Sequence, residues 1–150
     1  MPDSTHVITL TPAEVVSAFY GALIDQDPER LGELADAGFD DAIFVEMPSS
    51  LPYGGRVEGA RRLRAMFQAM ARGVVVVGPR GLTLDALVDG GNRVAARLSF
   101  DWYPPGGGAP IASGAVEEWT FENGKATAIR AYYRDTAELL AASATAAEGA

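Results

Sequence analysis

Residues 111–135 read IASGAVEEWTFENGKATAIRAYYRD, and the fold follows from this stretch. Asn123-Gly124 supplies the positive φ angles of a tight hairpin turn, so Glu122 to Lys125 is predicted to join two antiparallel strands. Alternate residues of a strand share a face. Ala115, Glu117, Trp119 and Phe121 therefore lie together, joined across the turn by Ile129, Ala131 and Tyr133. A carboxylate thus shares a face with an aromatic and aliphatic surface. Glu117 and Glu118 are neighbours, so one of them points each way. The register set by Trp119 and the turn selects Glu117 as the inward one, with Glu118 the alternative.

Upstream of the hairpin, Arg93 to Tyr103 alternates strictly. Val94, Ala96, Leu98, Phe100 and Trp102 fall on one face, and Arg97, Ser99 and Asp101 on the other. Asp89-Gly90-Gly91-Asn92 is the turn before it. Val74–Val77 and Leu82–Val88 read as one bent strand or two short ones, with Gly78-Pro79 at the bend. Pro104 to Pro110 (PPGGGAP) is a loop that, beside Trp102 and Tyr103, suggests a mobile lid. Nearer the N-terminus, Thr11-Pro12-Ala13-Glu14 is a capping box opening a helix to about Asp25. Asp27-Pro28 opens a second helix carrying Leu31 and Leu34. A strand from Ala42 to Met47 follows, with Asp40 and Asp41 leading into it. Residues 49–59 (SSLPYGGRVEG) read as a loop and Ala60 to Ala71 as a third helix. A short helix from Asp135-Thr136 to about Ala142 closes the domain. Residues 1–10 are expected to be a flexible N-terminus, 11–142 one domain, and 143–150 a disordered tail. Helices followed by a strand meander give an α+β fold: a curved antiparallel sheet wrapped around N-terminal helices as a cone (an α+β barrel) with an apolar pocket at its open end.

Composition narrows the function. The 150 residues suit one core, and 48% hydrophobic with 21% charged residues is ordinary for a soluble globular protein. A net charge of −8 argues against nucleic acid or an anionic membrane as partner. Arg61, Arg62 and Arg64 read as a solvated helix face. There is no cysteine, and the single histidine, His6, lies near the N-terminus, so thiol chemistry, the usual zinc sites and a Ser-His-Asp triad are excluded. No signal peptide or membrane span is recognised, and a cytoplasmic location is expected. No cofactor is expected.

The order of elements, with FYGAL (19–23), FVEMP (44–48), PYGGRVEG (52–59), EEWTFENGK (117–125) and IRAYYRD (129–135), resembles the SnoaL-like polyketide cyclases. These belong to the nuclear transport factor 2-like superfamily, with ketosteroid isomerases, limonene epoxide hydrolase and scytalone dehydratase. The resemblance spans roughly Thr11 to Leu140. It puts the isomerases' helical tyrosine at Phe19 or Tyr20, their second acid at Glu117, and their proton-shuttling aspartate at Met47, with Glu46 one residue earlier. Limonene epoxide hydrolase's strand motif aligns with Phe44-Val45-Glu46-Met47-Pro48. Its late aspartate aligns with Ala131, and its Arg-x-Asp pair with Ser99-Phe100-Asp101 or Arg97-Leu98-Ser99. The resemblance thus keeps one acid and loses the partners of both chemistries, which favours a cyclase over an isomerase or epoxide-opening hydrolase. It also implies a homodimer through the outer sheet face.

Candidate catalytic residues are therefore Glu117, Glu46, Asp101 and Tyr20. Burial among Trp119, Tyr133 and Ala131 would raise the Glu117 pKa towards the operating range. Glu46 enters the same cavity if its face, shared with Phe44, is the inner one, and two carboxyls there would split into an acid and a base; the alternative is an outward Glu46 paired with Arg56. Asp101 enters only if its face, rather than that of Phe100 and Trp102, lines the pocket. Phe44, Met47, Tyr53, Phe67, Phe100, Trp102, Trp119, Ala131 and Tyr133 are the candidate substrate-binding set, suited to a large apolar ligand. Tyr20, Tyr53 and Tyr133 carry hydroxyls able to orient a substrate oxygen. The expected function is cofactor-independent cyclisation of a polyketide-like substrate; the alternatives are a non-catalytic small-molecule-binding or dimerising module, and an isomerase or epoxide-opening enzyme.

Overall fold

The computed structural model describes residues 9–148. His6, most of the proposed flexible N-terminus and the last two residues of the proposed tail lie outside them. Helix α1 (Pro12–Ile24) starts where the capping box places it: Glu14 N–H donates to Thr11 Oγ1 at 3.2 Å, and Thr11 N–H donates to the Glu14 carboxylate at 2.9 Å. Helix α2 (Pro28–Gly38) is capped by Asp27, which accepts from Arg30 N–H at 3.0 Å. Helix α3 (Ala60–Arg72) ends at Gly73.

The strands are β1 (Phe39–Met47) and β2 (Gly55–Glu58), between α2 and α3, then β3 (Gly78–Asp89), β4 (Arg93–Tyr103), β5 (Ile111–Glu122) and β6 (Lys125–Tyr133). They form one curved, unclosed sheet in the order β2-β1-β6-β5-β4-β3. The β5–β6 hairpin is as its sequence predicts, with Asn123 at φ 51° and Gly124 at φ 77°. The sheet is not wholly antiparallel: β1 runs parallel to β6, because the chain returns to the strand that began it only after the whole meander.

Other expectations need correction. Strand β1 begins at Phe39, so Asp40 and Asp41 are inside it; Phe39 is drawn into the core by ring contacts with Phe19, Phe67 and Trp119. The segment expected to be all loop contains β2, which the turn at Pro48–Gly54 folds back onto β1. Val74–Val77 is not a strand; β3 starts at Gly78, where pairing to Tyr103 begins. Helix α4 (Thr136–Glu148) runs past Ala142, so residues 143–148 are helical rather than a disordered tail. Asp135 caps it by accepting from Glu138 N–H at 3.1 Å, and its alanines are strong helix formers.

Helices α1, α2 and α3 pack on one face of the sheet. Phe19, Phe39, Phe67, Trp119 and Phe121 form the aromatic centre of the core, with Phe19 and Phe67 edge-to-face at 4.7 Å between centroids. Towards one end this core opens into a cavity.

Candidate active site

The cavity has a volume of about 240 Å³. α1 contributes Tyr20 and Leu23 to it, α3 contributes Met66, Phe67 and Met70, and the sheet's inner face closes the rest. Among the described residues its only lining carboxylate is Glu117. Parity explains this: Ala115, Trp119 and Phe121 are buried on the same side of β5, so Glu117 must point inward with them. Glu118 points outward, 3.8 Å from the Arg93 guanidinium.

Glu117 retains some accessible surface, but its carboxyl sits in the cavity wall, where lost hydration pushes its pKa up. The Tyr20 hydroxyl donates to Glu117 Oε1, which opposes that rise. Tyr20 in turn accepts from Trp119 Nε1–H at 3.0 Å. Burial, and then the neighbouring carboxylate, raise the Tyr20 pKa, so it stays a phenol. A second polar group contains Tyr53 and Tyr133, whose hydroxyls are 2.8 Å apart, with Trp102 Nε1–H donating to Tyr53 at 2.8 Å. Burial is the main cause that raises the pKa of both. Gly78, at φ 110°, makes room for the Tyr53 ring: a Cβ there would stand 3.2 Å from it.

The structure therefore brings Glu117, Tyr20, Met47, Tyr53, Phe67, Phe100 and Tyr133 together around one cavity. Other candidates lie elsewhere. Glu46 does share a face with Phe44, but that face is the outer one, because Ile43 and Val45 occupy the core side of β1. Glu46 is exposed there, and Arg56, its register partner, forms its ion pair with Glu58 at 3.0 Å. Phe44 is not in the cavity: it lies under the Arg56 guanidinium, 3.5 Å from its ring centroid, with Arg130 at 5.1 Å. Asp101 is exposed on the outer face, since Phe100 and Trp102 take the inner side of β4. Trp102 and Trp119 are fully buried behind the lining and donate to Tyr53 and Tyr20 rather than bordering the cavity themselves. Ala131 is buried opposite Glu117 in the β5–β6 register without bordering the cavity.

The proposed lid is also misplaced. Residues 104–110 do not border the cavity, whereas Val75, Val77 and Pro79 do. Val74 and Val76 of that segment are 64% and 70% exposed. Sequence reasoning missed this edge; four consecutive valines outside a strand were the available signal. It also missed Val45, Val57, Leu82, Leu98 and Ile129, which carry no chemistry and are found only through parity. Among the described residues no group of three or more His, Asp or Glu side chains is arranged to hold a metal ion. No described helix is long and apolar enough to cross a membrane.

The profile of the SnoaL-like domain matches residues 16–129, most of the chain. This chain belongs to the SnoaL-like domain family. Solved structures agree with that fold. TerC, co-crystallised with polyporic acid, is 22% identical, with a TM-score of 0.66 over 87% of this chain and 96% of its own. A candidate SnoaL-like polyketide cyclase from Mesorhizobium loti is 25% identical, with a TM-score of 0.62 over 83% of this chain and all of its own. A protein of ketosteroid isomerase-like fold from Catenulispora acidiphila, in complex with trimethylamine, is 19% identical, with a TM-score of 0.62 over 90% of this chain and 95% of its own. A comparison with curated proteins finds no match. Within the SnoaL-like frame, Met47 lines the cavity at the position that the resemblance gives to the isomerases' shuttling aspartate. Glu117 is the one acid among the described residues that line it.

Proposed function

We propose that this SnoaL-like protein is a cofactor-independent cyclase of an apolar, polyketide-like substrate, with Glu117 as its proton-transfer group. The observation that carries this reading is a single desolvated carboxylate, steadied by a phenol, in a cavity otherwise lined almost entirely by apolar side chains. Family membership supports the substrate class.

Desolvation makes the ionised Glu117 a stronger base than an exposed glutamate. Its free oxygen removes a proton from a carbon beside a carbonyl of the substrate. The resulting enolate carbon attacks a second carbonyl carbon of the same folded chain, forming the ring's C–C bond. The alkoxide so produced takes the proton back from Glu117, which returns to its starting state. Tyr20 holds the carboxyl in one orientation throughout and stays protonated. The apolar walls fold the substrate, and such positioning lowers a barrier by several kcal/mol, up to about 7–11 in the best intramolecular cases.

The test is Glu117→Gln. The amide keeps size and polarity but cannot accept a proton from carbon, so turnover of a linear polyketide-like substrate is expected to fall about 10²–10⁴-fold. An unchanged rate in a folded variant sinks the acid–base role and leaves a binding module as the better reading.

A further inference from the structure

The Trp102, Tyr53 and Tyr133 cluster has no part in moving the proton at Glu117, yet its hydrogen-bond accounting points into the cavity. It contains three donors: the Trp102 Nε1–H and two phenolic O–H groups. Two hydrogen bonds use two of them, Trp102 to Tyr53 and one between the tyrosines. If Tyr53 donates to Tyr133, the Tyr133 proton is left over. If Tyr133 donates to Tyr53, the Tyr53 oxygen accepts twice and its own proton is left over. Either way one O–H remains, and both tyrosines line the cavity. Tyr20 offers no such proton, because its hydroxyl already donates to Glu117 and accepts from Trp119. The cavity therefore presents one unused donor and one carboxylate acceptor against apolar walls.

Register fixes how these two poles relate. Glu117 pairs with Ala131, and Ala115 pairs with Tyr133, so Glu117 and Tyr133 are diagonal neighbours on the inner face. Such neighbours stand about 7–8 Å apart at the backbone. Both side chains project from that face into the same cavity, so one ligand there can meet the hydroxyl and the carboxylate together.

We propose that Trp102, Tyr53 and Tyr133 form a donor relay that binds a neutral ketone oxygen of the substrate and so sets its α-carbon at Glu117. This rests on the reading of Glu117 as the proton-transfer group, and it narrows the substrate to one with a ketone next to the reacting carbon. The tyrosine of the pair that keeps the unused proton touches the substrate; Trp102 is a positioning residue, polarising the pair from behind the wall. Because the tyrosines remain phenols, the oxyanion formed when the proton leaves is stabilised by a hydrogen bond rather than by proton transfer. A carboxylate at this pole would face the charge of Glu117 in a low dielectric and is rejected.

The probe is 2-acetylnaphthalene carrying a ¹³C=O label, compared with 2-ethylnaphthalene, which has the same shape without the oxygen. The ketone is expected to bind the wild-type protein roughly five- to tenfold more tightly than the hydrocarbon. Its bound carbonyl stretch should lie below that in an alkane solvent. The double variant Tyr53→Phe with Tyr133→Phe removes both phenols and should abolish the preference and return the stretch to the alkane value. Each single variant leaves one phenol with an unused proton and should keep part of the preference, and Trp102→Phe should move the stretch part of the way back. A ketone that binds wild type no better than the hydrocarbon, or not at all, overturns the proposal. So does a stretch that the double variant leaves in place. Glu117→Gln separates the two readings: it should keep the lowered stretch whatever it does to turnover.

Discussion

Replacing Tyr20 with Phe removes one oxygen atom from the centre of the site and leaves two groups without partners. Glu117 loses its donor, and Trp119, fully buried, loses the acceptor of its indole N–H. A buried unsatisfied donor costs about 1–3 kcal/mol, and a hydrogen bond to a charged group contributes about 1.5–3 kcal/mol against 0.5–1.5 for a neutral one. Tyr20→Phe is thus expected to lose about 3–5 kcal/mol of stability when Glu117 is ionised, and about 1–1.5 less when it is protonated. The sign with pH follows from the same bond. It favours the anion, so its loss raises the Glu117 pKa above an already raised wild-type value. A carboxyl whose folded pKa is raised contributes fully below its unfolded pKa and loses that contribution as pH climbs to the folded one. The deficit of Tyr20→Phe should therefore be smallest in acid and widen as pH rises. Urea unfolding across the range measures the deficit, and the ¹³C resonance of the Glu117 carboxyl follows its titration. A deficit that does not vary with pH, or a carboxyl that titrates no higher than in wild type, refutes the idea that Tyr20 holds the anion.

Glu46→Gln and Asp101→Asn lie on the outer face and should leave stability within about 0.5 kcal/mol and turnover unchanged; a loss of activity in either returns it to the site. Phe67→Ala opens the aromatic centre against Phe19 and Phe39 and should cost about 3–5 kcal/mol by chemical unfolding. The outer sheet face carries Val116 and Tyr132, paired in register and 39% and 58% exposed. If two copies associate there, Tyr132→Asp should convert a dimer to a monomer in analytical ultracentrifugation, without loss of secondary structure.

What was legible depended on whether a residue's partner was local. The β5–β6 hairpin was readable because Asn123-Gly124 fixes the turn and Trp119 then fixes the parity of Glu117. Parity alone failed on β1, where Phe44 opposes Val45 and Met47 and either set could face inward. The aromatic lost because Arg56 and Arg130 cover it outside, a contact supplied by two other strands. Glu46 went outward with it. On β4 parity separated Phe100 and Trp102 from Asp101 but left open which set faced inward; burial of the aromatics puts Asp101 outside. β2 was hidden because four residues among glycines have no period of their own; they are a strand only through pairing with β1. The two tryptophans were recognised as apolar bulk, while their N–H groups, aimed at Tyr20 and Tyr53, depend on distances of 99 and 49 residues along the chain.

The parallel pairing of β1 with β6 has a kinetic consequence. Tyr20 and Glu117 are 97 residues apart in sequence, and β1 can be flanked on that side only after β6 exists. This long-range closure must occur before the cavity's inner wall is complete. Chains rich in such distant contacts fold on the millisecond-to-second scale rather than in microseconds. Until that closure, the apolar lining of the site is exposed to other chains. Ordering of the Tyr20–Glu117 pair should consequently be a late event in refolding, following the β3–β6 meander, and a nascent chain stopped before Lys125 would hold the acid without the strand that completes its pocket.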